Sequence, residues 1–169
     1  MGKKKRTPRS NSYDIPFEEL TATRFEKSLE FELQIGLIIY VKHKYPEFAQ
    51  IIKGDAFNGL QKLSPYMGSK TKAMGNIRGW PDFQIPIAKR GYIGFFLELK
   101  RLGTTIIKKN KELVADAHIR EQWVLLQFLK KQHQFAEFGV GWEQCTSYTD
   151  WYMSDNTIWT LTPLKKSTK

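Results

Sequence analysis

A single cysteine, Cys145, stands among 169 residues, so no intramolecular disulfide framework can form and a reducing compartment is expected. Histidine is nearly as scarce. His43, His118 and His133 are scattered, and with Cys145 they offer no zinc-ligand spacing. The longest apolar run, Leu33–Val41, is too short and too interrupted to cross a bilayer. No apolar stretch follows the basic N-terminus, so no secretion signal is expected. Acids are few, 17 against 27 Lys and Arg. These shortages exclude a disulfide-stapled secreted domain, a zinc module and a membrane span. They leave a soluble intracellular protein as the expectation (cytoplasm or nucleoid, or nucleus in a eukaryotic host).

What is present fits a folded chain. Apolar residues at 41% and aromatics at 14% can build a core, and the length suits one domain without staples. The net charge of +10 is unevenly spread. Lys3, Lys4, Lys5, Arg6 and Arg9 supply five charges, and Lys165, Lys166 and Lys169 three more, which leaves +2 for the rest. Within that rest, Lys53 to Lys111 holds twelve Lys and Arg against only Asp55, Asp82 and Glu98. Such a cluster is either a solvated basic face or a surface for a polyanion, bound through phosphate contacts and counterion release. Its candidate nucleic-acid contacts are Lys53, Lys70, Lys72, Arg78, Arg101, Lys108, Lys109 and Lys111.

Residues 1–13 read as a mobile basic arm, 14–162 as a single domain and 163–169 as a basic tail. Helical spacing of Phe25, Leu29, Leu33, Leu37, Tyr40 and Val41 predicts one helix from about Thr23 to Tyr45, with Pro46 beyond its end. A short strand is expected at Phe48–Gly54, then a loop from Asp55 to Arg78 with one short helix. "DFQIPIA" and "YIGFFLELK" read as strands joined at "KRG", a hairpin turn, and Pro86 places the first at an edge or bulge. A lysine-rich loop at Gly103–Lys111 precedes a helix from Glu112 to Gln132. "FAEFGVG" reads as a strand, "WEQCTSYTDWYM" as a helix and "TIWTL" as an extra strand. This order predicts an α/β fold, a mixed sheet of about four strands flanked by helices.

Strand parity places the charged groups. Glu98 and Lys100 share one face of their strand, and Phe95, Leu97 and Leu99 share the other. If the two runs pair through "KRG", Asp82 comes near Glu98 and Lys100. Two carboxylates at close range raise one another's pKa unless a cation lies between them, and oxygen donors suit Mg²⁺ or Mn²⁺. Two helices bring further polar groups. Glu26, Glu30 and Gln34 form a stripe that by itself is a solvated face. Ala115, Ile119, Leu126 and Leu129 form an apolar stripe containing Gln122, whose amide either satisfies the polar end of the sheet or joins a site.

The stretches "GWPD" (Gly79–Asp82) and "LELK" (Leu97–Lys100) resemble the hallmark of the PD-(D/E)XK nucleases, and more closely their VRR-NUC branch. "EFELQ" (Glu30–Gln34) is similar to the first-helix pattern of that branch, and "DAFNG" (Asp55–Gly59) to its Asn-Gly stretch. "EQW" matches its Gln-x-x-Trp region only in part, because Trp123 follows Gln122 directly. The segment from Gly103 to Gln122 is also longer here. The likeness runs from about Ser28 to Met153. It implies a restriction-endonuclease-like αβββαβ core and an Mg²⁺-dependent endo- or exodeoxyribonuclease, with Mn²⁺ as a substitute ion. It implies that Asp82, Glu98, the Leu99 carbonyl and Glu30 bind metal, that Lys100 positions or activates water, and that Gln122 contacts the site. The implied partner is DNA, flapped or branched DNA included, with homodimerisation a means for so small a domain to span a junction. The competing expectation is a non-catalytic nucleic-acid-binding module on the same fold.

Overall fold

The structure is a computed structural model and describes residues 15–54, 69, 73, 77 and 79–154. The arm at 1–13, the Asp55–Gly59 stretch, Lys70, Lys72, Arg78, the strand expected at 157–161 and the tail at 163–169 lie outside the described residues. In chain order the elements are α1 (Ala22–Phe25), α2 (Glu30–Lys44), β1 (Lys53–Gly54), β2 (Phe83–Ile85), β3 (Phe95–Lys100), α3 (Ala117–Lys131), β4 (Phe135–Val140) and α4 (Gly141–Met153). The four strands form one sheet in the order β1-β2-β3-β4. The first two pairings are antiparallel and the third is parallel, the crossover from β3 to β4 being made by α3. This is the expected α/β architecture.

The hairpin between β2 and β3 closes on a two-residue loop, and the register slips by one residue between that loop, where Lys89 faces Tyr92, and the ladder, where Ile85 faces Phe95. Lys89 and Tyr92 exchange backbone hydrogen bonds of 3.0 and 2.9 Å around Arg90 and Gly91, whose φ values are 53° and 81°. Two left-handed residues in a two-residue loop match the natural twist of paired strands. The main ladder stops at Ile85 because Pro86 has no N–H to donate. Phe83 then faces Leu97, and Ile85 faces Phe95.

Alternation along β3 divides the interior. Phe95, Leu97 and Leu99 pack with Phe83 and Ile85 against Leu33, Leu37 and Val41 of α2 and Cys145 and Tyr152 of α4. Phe96 lies on the opposite face with Ala136, under Leu126 and Leu129 of α3. Each such buried side chain contributes about 1.5–3 kcal/mol of apolar transfer. All six residues of β3 are buried, Glu98 and Lys100 included.

Several expected boundaries shift, the two hairpin runs shortening to Phe83–Ile85 and Phe95–Lys100. The helix expected from Thr23 to Tyr45 is two helices, because α1 ends at Phe25 and the Leu29 N–H donates to the Glu32 carboxylate at 2.8 Å to open α2. Phe25 turns back beneath α2 at Gly36, where a Cβ would collide with its ring, and stacks on Trp142. The strand expected at Phe48–Gly54 shrinks to Lys53–Gly54, since Pro46 starts a 3-10 turn that carries the chain through residue 48. The second helix begins at Ala117 rather than Glu112, capped by Asp116, whose Oδ1 accepts the Ile119 N–H at 2.9 Å. The preceding residues form a small hairpin in which Ile107 bridges Leu113, so Ala115 is exposed ahead of the helix. Among the described residues no helix is long and apolar enough to cross a membrane.

Candidate active site

The β2–β3 register extends by one step to set Asp82 opposite Glu98. Asp82 is tied down at both its groups. Its Oδ2 accepts the Leu99 N–H at 2.9 Å, and its backbone carbonyl accepts from Gln34 Nε2 on α2 at 2.6 Å. The N–H and C=O of one strand residue point to the same side, so the Leu99 carbonyl also faces the Asp82 side. Glu98 is 2% exposed and Lys100 4%. Lys100 Nζ donates to Glu98 Oε1 at 2.8 Å and to the Leu99 carbonyl at 3.0 Å. Gln122, buried on α3, donates its Nε2–H to the same Glu98 Oε1. One carboxylate oxygen therefore receives two donors, while Oε2 finds none among the described residues.

The electrostatics follow from that asymmetry. Burial pushes the Glu98 carboxyl up to about 9, the neighbouring Asp82 charge adds to the rise, and Lys100 opposes it. Burial also raises Asp82, against the Leu99 N–H and the Lys100 charge. Without a cation the pair thus holds a proton at neutral pH. Repulsion between the acids contributes as expected from the sequence, but burial is the larger cause. This donor set is hard oxygen throughout and presents one buried oxygen lacking a donor, so the residues fit a small divalent cation.

The first-helix acids separate once the helix is broken. Glu30 opens α2, with its side chain 46% exposed and its carboxylate 3.8 Å from Lys100 Nζ. Glu26 lies in the α1–α2 link, off the Glu30 stripe, and lines a groove of about 290 Å³ with Lys27, Ser28, Arg101, Leu102, Gly103 and Thr104. Glu32 is engaged with the Leu29 N–H. Among the described residues no three His, Cys, Asp or Glu side chains gather into a metal-binding cluster. Glu30 stands at the rim, near enough for its charge to act on Asp82. Lys53, Arg101, Lys108, Lys109 and Lys111 are all exposed, the last three on the hairpin ahead of α3. Lys89 and Arg90, by contrast, are taken up in packing: Lys89 Nζ sits 5.4 Å from the Phe48 ring centroid, and Arg90 lies over Trp151.

The structure brings together Asp82, Glu98, Lys100, the Leu99 carbonyl and Gln122, with Glu30 beside them. It adds one residue that sequence reasoning did not place. His118 Nε2 lies 3.0 Å from Gln122 Nε2, one helical turn away on α3. The signal was the i, i+4 spacing of His118 and Gln122, which puts both on one helix face. That signal has no force until Gln122 itself is known to reach Glu98.

No protein-family model matches this chain. A comparison with curated proteins finds no match either. Among solved structures, the chain is similar to one described as a VRR_NUC domain protein, at 24% identity and a TM-score of 0.55. The match covers 76% of this chain and 91% of that one. A likeness at this level is one of fold, and the fold is restriction-endonuclease-like.

Proposed function

We propose that this chain is a metal-dependent nuclease that hydrolyses DNA phosphodiester bonds. The observation that carries the reading is Glu98 Oε2, buried beside Asp82 with no donor among the described residues. A buried acid pair beside phosphate would only weaken nucleic-acid binding, so a purely binding module has no use for it. Fold likeness to a VRR_NUC domain protein supports the same class.

In this reading Asp82, Glu98 and the Leu99 carbonyl hold Mg²⁺ or Mn²⁺, and Glu30 completes the acidic rim. When bound, the ion supplies Lewis acidity toward a phosphoryl oxygen and lowers the pKa of water. Lys100 Nζ, fixed between Glu98 Oε1 and the Leu99 carbonyl, places a positive donor where the attacking water is oriented and charge develops on the phosphoryl group. Gln122 holds the Glu98 carboxylate in one rotamer. The exposed cations Lys53, Arg101, Lys108, Lys109 and Lys111, with Lys70, Lys72 and Arg78, contact backbone phosphates. Water oxygen bonds to phosphorus as one ester P–O bond breaks.

The test is incubation of purified protein with linear, flapped and four-way DNA in Mg²⁺, Mn²⁺ or EDTA. Cleavage is expected with either ion and none with EDTA, and the substrate that is cut fastest identifies the structural preference. Cleavage in EDTA, or binding of every DNA with cleavage of none, would overturn the reading.

A further inference from the structure

Gln122 carries an amide nitrogen with two hydrogens, and both have acceptors in the structure. One goes to Glu98 Oε1 and the other points at His118 Nε2, 3.0 Å away. An amide N–H₂ is a donor only, so His118 Nε2 must be the bare ring nitrogen, with the ring hydrogen on Nδ1. Reversing the amide would set its oxygen against Glu98 Oε1, which already accepts from Lys100 at 2.8 Å. Glu98 Oε1 therefore sets the amide's orientation, and His118, outside the buried site, supplies the second acceptor. The Gln122 oxygen finds no donor among the described residues, so no competing bond holds the amide.

From this we infer that His118 is a positioning residue for the candidate active site. By accepting from Gln122, it commits that amide to Glu98 Oε1 and leaves Oε2 as the oxygen offered to a divalent cation. The inference rests on the nuclease reading for the cation, but its geometry is of this chain's own residues. His118 is exposed, so replacing it removes no core packing. Its role differs from that of a phosphate contact. A phosphate contact needs a donor or a positive charge at position 118, whereas the amide lock needs an acceptor.

Mn²⁺ binding to the DNA-free protein, followed by electron paramagnetic resonance, separates the two, with single-turnover cleavage as the second readout. His118→Ala is expected to weaken Mn²⁺ about three- to tenfold, less than the 10–100-fold typical for a group touching a metal ligand directly. His118→Gln, which carries an acceptor at similar reach, should stay within about twofold of wild type. His118→Lys, a donor only, should bind Mn²⁺ less well than His118→Ala. In a Gln122→Ala background all three should have no further effect. Unchanged affinity in His118→Ala, a His118→Lys protein as good as wild type, or full effects persisting without Gln122 would each overturn the inference. A wild-type protein that binds no Mn²⁺ would instead bring down the nuclease reading, and this inference with it.

Discussion

Asp150 and Glu98 are both paired with a lysine, and they are satisfied differently. Asp150 on α4 has donors at both oxygens. Its Oδ1 accepts from the Tyr45 hydroxyl at 3.0 Å and its Oδ2 from Lys44 Nζ at 2.7 Å, and the single Tyr40 hydroxyl hydrogen is shared between them, at 3.0 and 2.8 Å. It staples α2 to α4 and has nothing left to bind. Glu98 is the more deeply buried of the two, yet both its donors converge on Oε1 and Oε2 has none among the described residues. A carboxylate that serves only stability is saturated; one that serves a ligand keeps an oxygen in reserve at a cost in stability. The asymmetry of hydrogen bonding, more than burial or the presence of a lysine, distinguishes the site from the staple.

That contrast can be broken by mutation. Asp82→Asn and Glu98→Gln are each expected to lower single-turnover cleavage by about 10³-fold or more while the protein stays folded and DNA affinity holds or rises slightly, because an acid facing phosphate is lost. Asp150→Ala should do the reverse. Its side chain is 34% exposed, so we expect a loss of about 1–2 kcal/mol in stability, read by denaturant melts, with cleavage per folded molecule within about twofold of wild type. Full activity in both site mutants, or loss of activity in Asp150→Ala without loss of stability, would erase the distinction.

Stability against pH sharpens it. The folded Glu98 carboxyl titrates near 9 against an ordinary value of 4.5. Below about 4.5 both folded and unfolded chains hold its proton; between there and about 9 the folded chain holds more. Raising pH through that window should therefore lower the stability of the metal-free protein, and Glu98→Gln should flatten the decline. A smaller effect separates the first-helix acids. Glu30→Gln is expected to lower turnover about tenfold through its place beside Lys100, and Glu26→Gln to have a mild effect from the groove. Glu32→Gln should leave turnover nearly unchanged and trim stability by about 0.5 kcal/mol through the weakened Leu29 contact. Loss at Glu32 with Glu30 unaffected would mean that α2 is rotated relative to the site.

How much of this could be read from the chain differs from element to element. The Glu98–Lys100 face was legible from strand parity and the approach of Asp82 from the turn, both local; that Asp82 sits opposite Glu98 itself depends on a one-residue slip between turn and ladder, for which Pro86 was the signal. The partner of Gln122 needed the resemblance, since spacing left its amide between two roles. The break between α1 and α2 was hidden because Phe25 and Leu29 keep helical spacing across it, while the bond that opens α2 comes from Glu32, itself indistinguishable from a surface acid. The late start of α3 had a signal in Asp116, but the 107–113 bridge that displaces the earlier residues is a pairing no periodicity reports. His118 stayed invisible because its meaning is borrowed from Gln122 and Glu98, sequence-distant groups that only the fold brings together.

The most direct test of the central claim is calorimetry of Mn²⁺ binding to the DNA-free protein at pH 7 in buffers of different ionisation enthalpy. A Glu98 carboxyl that titrates near 9 is protonated at this pH and must give up its hydrogen to ligate. Release of about one proton per ion bound is expected in the wild type, and little or no binding in Glu98→Gln. Binding without proton release, or equal binding in Glu98→Gln, would contradict that claim.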